Sequence, residues 1–127
     1  NSKQFSAHIT HCISNFDPEW VFIPSIEDFH RDHYRIGSAI IELARHFKHS
    51  IRLFQFEVWN PVSATHVVDI SSVMSLKLEA LQCHQSILAC APYARAITGL
   101  ATYRSLYLSR NAPNEAFAEC YQEYIRK

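Results

Sequence analysis

Trp20-Val21-Phe22-Ile23-Pro24-Ser25-Ile26-Glu27-Asp28-Phe29-His30-Arg31-Asp32-His33-Tyr34-Arg35-Ile36-Gly37 changes its hydrophobic period partway, and that change separates a strand from a helix. The first five residues form a short, continuous apolar run, the pattern of a strand buried on both faces. From Ile36 onward the apolar residues recur at Ala39, Ile40, Leu43, Ala44 and Phe47, one stripe at a 3.6-residue period. Between strand and stripe lie two histidines three residues apart, with an aspartate between them. Ser25 and Asp28 have the spacing to cap a helix that begins ahead of the histidines, and Asp32 stands where one could begin among them.

Outward from this stretch the elements alternate. Ser6 to Phe16 reads as the end of a helix, with Ile9 and Ile13 at helical spacing, broken by Asp17-Pro18. Ile51 to Trp59 is a second strand candidate, ended by Asn60-Pro61, and Val67 to Ile70 a short third. Asp69 or Ser71 caps a long helix carrying Met74, Leu78, Leu81 and Leu88, and Pro92 starts another through Tyr93, Ile97, Leu100, Ala101 and Leu108. Asn114 is expected to cap a last helix through Phe117, Cys120, Tyr121 and Tyr124. The order predicts an α/β fold, with a partial parallel, Rossmann-like sheet, flanking helices and a helix-rich C-terminal part. Two or three strands leave a parallel sheet short of cover. The chain also opens on Asn1 rather than methionine, so further strands are expected upstream.

Composition narrows the function classes. The 127 residues amount to one domain, and 48% hydrophobic content can fill a core. Twelve basic residues balance twelve acidic ones, which argues against nucleic acid as a partner. No apolar run is long enough for a transmembrane helix. Cys12, Cys83, Cys90 and Cys120 form no C-x-x-C pair and sit among apolar residues, as in a reduced, cytoplasmic protein. Only two glycines are present, too few for a nucleophile elbow or a phosphate loop. Cys83 and His84 are adjacent on a helix and diverge by about 100°, so they form no nucleophile–base dyad.

H-x-x-H occurs three times, at His8/His11, His30/His33 and His46/His49. The spacing alone is more often a solvated or core-satisfied pair than a metal site. The first and third pairs enclose no carboxylate and belong to surfaces or helix ends. His30/His33 follows a buried strand across a short loop, where open α/β sheets place ligands, and encloses Asp32.

From His30 to near its end the chain resembles the LmbE-like zinc-dependent N-acetylglucosaminyl deacetylases, which include the phosphatidylinositol-glycan (PIG-L) deacetylases. His30-Arg31-Asp32-His33 with Gly37 is similar to the family's H-x-D-H motif, with arginine where proline is common. Phe56-Glu57-Val58-Trp59-Asn60-Pro61, Val68-Asp69-Ile70-Ser71, Lys77 to His84, Tyr103-Arg104 and Ala116-Phe117-Ala118-Glu119 follow in the family's order. The resemblance implies zinc (Zn2+)-dependent hydrolysis of the N-acetyl group of an N-acetylglucosamine-type amino sugar. It implies His33 as a metal ligand, His30 as oxyanion stabiliser and general acid, and Asp32 as the partner of His30. The family's early H-P-D-D motif, which supplies two ligands and the base, is absent. The 127 residues would therefore be the C-terminal portion of a single deacetylase domain, inactive alone. A homo-oligomer or a complementary N-terminal segment would complete it.

Trp59 and Asn60 are candidates for lining a sugar pocket, although a tryptophan at a strand end as often simply packs there. Arg104, between Tyr103 and Tyr107, either reaches an acidic group of the substrate or joins a buried ion pair with Glu57 or Glu119. The alternative from another class is a non-catalytic assembly or sugar-binding module built on the same fold.

Overall fold

A computed structural model describes residues 2–47, 51–109 and 114–125. It is a mixed α/β structure with a four-stranded sheet. The elements run α1 (Ser2–Phe16), β1 (Trp20–Pro24), α2 (Arg31–Ala44), β2 (Arg52–Phe56), β3 (His66–Asp69), α3 (Met74–Gln82), α4 (Gln85–Leu88), α5 (Tyr93–Arg104) and β4 (Ala118–Tyr124). Strand order is β1-β2-β4-β3. Two compact units contain them: residues 1–66 with 121–127, and residues 67–120.

In the first unit β1 and β2 run parallel, with Trp20 opposite Arg52 and Pro24 opposite Phe56. Alternation along the strands sorts their side chains. Val21, Ile23 and Leu53 face the helices and join Ile13 of α1 and Ile40, Ile41 and Ala44 of α2 in one apolar cluster. The other face carries Phe54, against which Trp20 and Phe22 pack at ring separations of 5.5 Å. Trp20 and Phe22 remain 54% and 50% exposed, so the apolar run of β1 is fully covered on one side only. Arg52 lies over the Trp20 and Phe54 rings and grips Glu123 through two bonds of 2.7 and 2.9 Å.

Local chemistry explains the breaks. α1 ends where Asp17 takes a left-handed φ of 45° and its amide returns to the Ile13 carbonyl at 2.9 Å. Aspartate tolerates that conformation, and Pro18 prevents the helix from resuming. α2 begins at Arg31, after an extended His30 whose side chain makes no capping bond. Of the two expected starts, the one among the histidines is found, with Asp32 in the first turn. Gly37 lets α2 approach the end of β1, because a Cβ there would stand 2.6 Å from the Pro24 carbonyl oxygen.

In the second unit the expected long helix is interrupted. Asp69 accepts the amide and hydroxyl of Ser71, a 3-10 turn covers Ser71–Val73, and α3 follows. The helix stops at Cys83 and a single turn, α4, restarts after His84. Ile70, Met74 and Ala101 form this unit's core, and Lys77 pairs with Glu119.

The expected last helix is a strand. Ala118–Tyr124 forms β4, and its second half pairs antiparallel with β2, Tyr124 opposite Leu53 and Tyr121 opposite Phe56. Phe117, Cys120, Tyr121 and Tyr124 fit a helical stripe only because tyrosine counts as apolar on either side. At period two, Cys120 is buried and Tyr124 packs on the helix-side core, while Tyr121 meets Phe22 at 5.3 Å and Glu123 meets Arg52. Pairing with β2 outweighs the local pattern.

Candidate active site

Because β1 and β2 are parallel, the loops after Pro24 and Phe56 leave from the same, carboxyl ends of two neighbouring strands. Open α/β sheets bind ligands at such ends. After β1, Ser25 Oγ accepts the Glu27 amide at 3.1 Å and its carbonyl accepts the Asp28 amide at 3.2 Å. The Ile26 amide donates to Oε1 of Gln55 at 2.9 Å. Gln55 is buried and stands opposite Ile23, so it interrupts the apolar side of β2 and ties the loop to it.

Asp28 is the centre of this arrangement, and its side chain has no exposed surface. Oδ1 accepts the His30 amide at 2.8 Å, an Asx turn. Oδ2 accepts the Trp59 amide at 3.1 Å and lies 3.2 Å from Nδ1 of His33. That last distance suits an ion pair, with an alignment short of a directed hydrogen bond. Burial, the largest single influence on Asp28, works against its charge. The amides of His30 and Trp59, then His33, together outweigh it and hold the carboxyl below its usual 3.8.

The imidazoles of His30 and His33 lie side by side, 4.5 Å between ring centroids, as i and i+3 at a helix start allow. His30 is exposed and His33 partly covered. Phe29 and Trp59 meet at 5.5 Å, the former 71% and the latter 41% exposed, and Asn60 Nδ2 donates to the Glu27 carbonyl at 2.9 Å. The two loops are thus stitched together by Asn60 and Asp28, with an exposed aromatic pair beside the histidines.

His30, His33, Trp59 and Asn60, all expected from sequence, are brought together here. Asp32 is exposed in the first turn of α2, where its charge suits the positive end of the helix dipole. The carboxylate that meets an imidazole is Asp28. Arg104 belongs to the second unit and is only 4% exposed, its guanidinium packed over Tyr107 and Tyr103. A groove of about 610 Å³ between α3 and α5 in that unit is lined by Leu78, Gln82, Arg95 and Thr98 among others and contains none of these candidates. His8 and His11 are exposed on α1 and hydrogen-bond to Cys12 and Asn15 along it, and His49 lies outside the described residues.

Sequence reasoning missed Phe29 and Gln55 and treated Asp28 only as a cap. Gln55 carried a usable signal, an amide on the side of β2 where Leu53 and the facing Ile23 are apolar. For zinc the donor chemistry fits in part: two imidazoles, one backed by a buried carboxylate, suit a metal that prefers nitrogen ligands. Among the described residues no group of three His, Cys, Asp or Glu side chains is placed to hold an ion, so these residues alone do not make up a zinc site.

No family model and no curated protein matches the chain. Among solved structures it is similar to GalB, the 4-carboxy-2-hydroxymuconate hydratase of Pseudomonas putida, with a TM-score of 0.75 and 19% identity over 98% of this chain. It is also similar to the conserved protein TT1542 of Thermus thermophilus, with a TM-score of 0.73 and 19% identity over 91% of the chain. The chain spans 60% and 56% of the lengths of those two proteins. At such identity the likeness shows a shared fold. No helix among the described residues is long and apolar enough to cross a membrane.

Proposed function

We propose that this chain carries the histidine part of a metal-assisted, water-adding active site, and that its reaction is hydrolysis of the N-acetyl group of an N-acetylglucosamine-type sugar. The observation that carries the reading is the His30–His33 pair, backed by buried Asp28 at the carboxyl ends of two parallel strands. His33 is the zinc ligand, with the remaining ligands and the base contributed from outside these 127 residues. When bound, zinc supplies polarisation of the acyl oxygen and acidification of a water molecule.

The chain's own residues do the rest. His30, exposed beside His33, holds a proton for the acyl oxygen and passes it to the departing amine nitrogen as the C–N bond breaks. Phe29 and Trp59 offer apolar faces on which a pyranose ring can lie. The sharing of a fold with a hydratase favours one second reading, addition of water across a carbon–carbon double bond of an unsaturated hydroxy acid.

The test uses the protein at its full encoded length. Zinc per chain and acetate release from N-acetylglucosamine conjugates are measured before and after His33→Ala. Loss of both supports the reading. Zinc content that survives the substitution removes His33 as a ligand. Retained zinc dependence without acetate release, together with hydration of a hydroxymuconate, transfers the site to the second reading.

A further inference from the structure

Asp28 does more than a turn requires. An Asx turn uses one side-chain oxygen, and Oδ1 fills that role by accepting the His30 amide. The second oxygen accepts the Trp59 amide from the loop after β2 and lies 3.2 Å from Nδ1 of His33 in the first turn of α2. One buried carboxylate therefore touches both loops and the imidazole that the proposed function depends on.

We propose that Asp28 is the positioning residue of this site, setting which nitrogen of His33 bears hydrogen and locking the Trp59 loop to that ring. A carboxylate accepts hydrogen bonds and donates none when ionised. The nitrogen facing it is therefore the N–H, which leaves the lone pair of the neutral ring on Nε2. Free imidazole side chains favour the opposite tautomer, so the local field has to impose this one. A histidine ligand is oriented by such a partner on its other nitrogen. The same oxygen accepts the Trp59 amide, so displacing the carboxylate releases the aromatic wall and the ring together. The proposal rests on the assigned role of His33, yet it is tested on metal-free protein, so the two readings fail separately.

Asp28→Asn is nearly isosteric and replaces one acceptor by an NH2 group. With Oδ1 kept on the His30 amide, the new donor faces Nδ1 of His33 and calls for a lone pair there. It also confronts the Trp59 amide with a second donor. The measurement is the tautomeric state of His33 from long-range nitrogen–proton NMR correlations, in zinc-free protein at a pH where those shifts report a neutral ring. Wild type is expected to be mainly Nδ1–H, and Asp28→Asn to move the ratio toward Nε2–H by up to about tenfold, the lower end of what an aligned bond to a charged group is worth, because the 3.2 Å contact falls short of that alignment. Amide exchange at Trp59 is expected to speed up by a similar factor in the variant.

Ser25→Ala separates positioning from general loosening. It removes the turn bond to the Glu27 amide without touching Asp28, and should leave the His33 tautomer as in wild type. An Nε2–H ring in the wild-type protein overturns the proposal whether or not any variant folds. A Ser25→Ala shift as large as that of Asp28→Asn does the same. If the NMR result holds while zinc content ignores His33, the positioning role stands and the deacetylase reading falls.

Discussion

Gly37→Ala puts a methyl group where the start of the site has no room. Its Cβ would lie 2.6 Å from the Pro24 carbonyl oxygen and 3.1 Å from Cγ2 of Ile26, whereas ordinary contacts begin near 3.4 Å. About 0.8 Å of separation must be found against the Pro24 oxygen, and that atom is backbone at the end of a strand paired with β2. Overpacking of this sort costs about 1–3 kcal/mol, and an immovable neighbour places this site in the upper half of that range. Alanine returns about 1 kcal/mol through its better helix propensity. The net expectation is a loss of about 1–2 kcal/mol.

Gly99 supplies the control. It also lies inside a helix, yet an added Cβ meets nothing within 4 Å. Gly99→Ala should therefore show the propensity gain alone, a stabilisation of about 0.5–1 kcal/mol. Urea unfolding of both variants beside wild type, at unchanged m-value, separates the two effects. The midpoints should move in opposite directions. If Gly37→Ala were as stable as wild type or more so, the close approach of α2 to β1 would be refuted, and with it the claim that this glycine sets where the histidine loop begins.

Gln55→Leu removes the acceptor of the Ile26 amide and leaves that amide part-buried without its partner. A loss of about 1–3 kcal/mol in urea unfolding is expected, with faster exchange of the Ile26 amide, and an unchanged exchange rate counts against the bond. Glu123 titrates below its usual 4.5, chiefly because Arg52 hydrogen-bonds its carboxylate, against an opposing burial effect and with further help from the charges of Arg52 and His66. A depressed carboxylate stabilises the fold fully above its unfolded value and loses that stabilisation as pH falls through the folded one. Wild type should thus be more stable than Glu123→Gln near neutrality, and the gap in denaturation midpoint should close in acid below 4.5. A gap that stays constant to the acid end would mean that the charge on Glu123 is not what Arg52 reads.

The parts of the fold legible in the sequence are those where one local pattern had one solution. The run from Trp20 to Pro24 is apolar and β-branched-rich, too short for a helix and closed by proline, and it forms a strand. The stripe from Ile36 to Ala44 fits only a helix against an apolar surface, and it packs on Ile23 and Leu53. β4 carried two patterns at once. Its tyrosines satisfy a helical stripe as well as a period-two alternation, and only the open edge of β2, far away in sequence, chooses between them. The break at Cys83–His84 has the same character, since neither residue forbids a helix and the surrounding leucines continue its period.

The site divides along the same line. His30 and His33 are neighbours because of their spacing on one helix turn, which is a local fact and can be read as such. Asp28 reaches His33 and Trp59 through a loop tied to β2 by Gln55, a residue outside any motif, and held close to α2 by Gly37. The distinction has a physical consequence for the two acids of this stretch. Asp32 lies inside the H-x-D-H motif and ends up exposed on the helix, whereas Asp28 lies outside it and ends up buried against the ring. Membership of a motif fixes spacing along the chain; enclosure by neighbours fixes which carboxylate keeps its charge close to an imidazole. An interaction between such groups strengthens as water is excluded. The carboxylate that governs His33 is therefore the one the fold covers, not the one the motif contains.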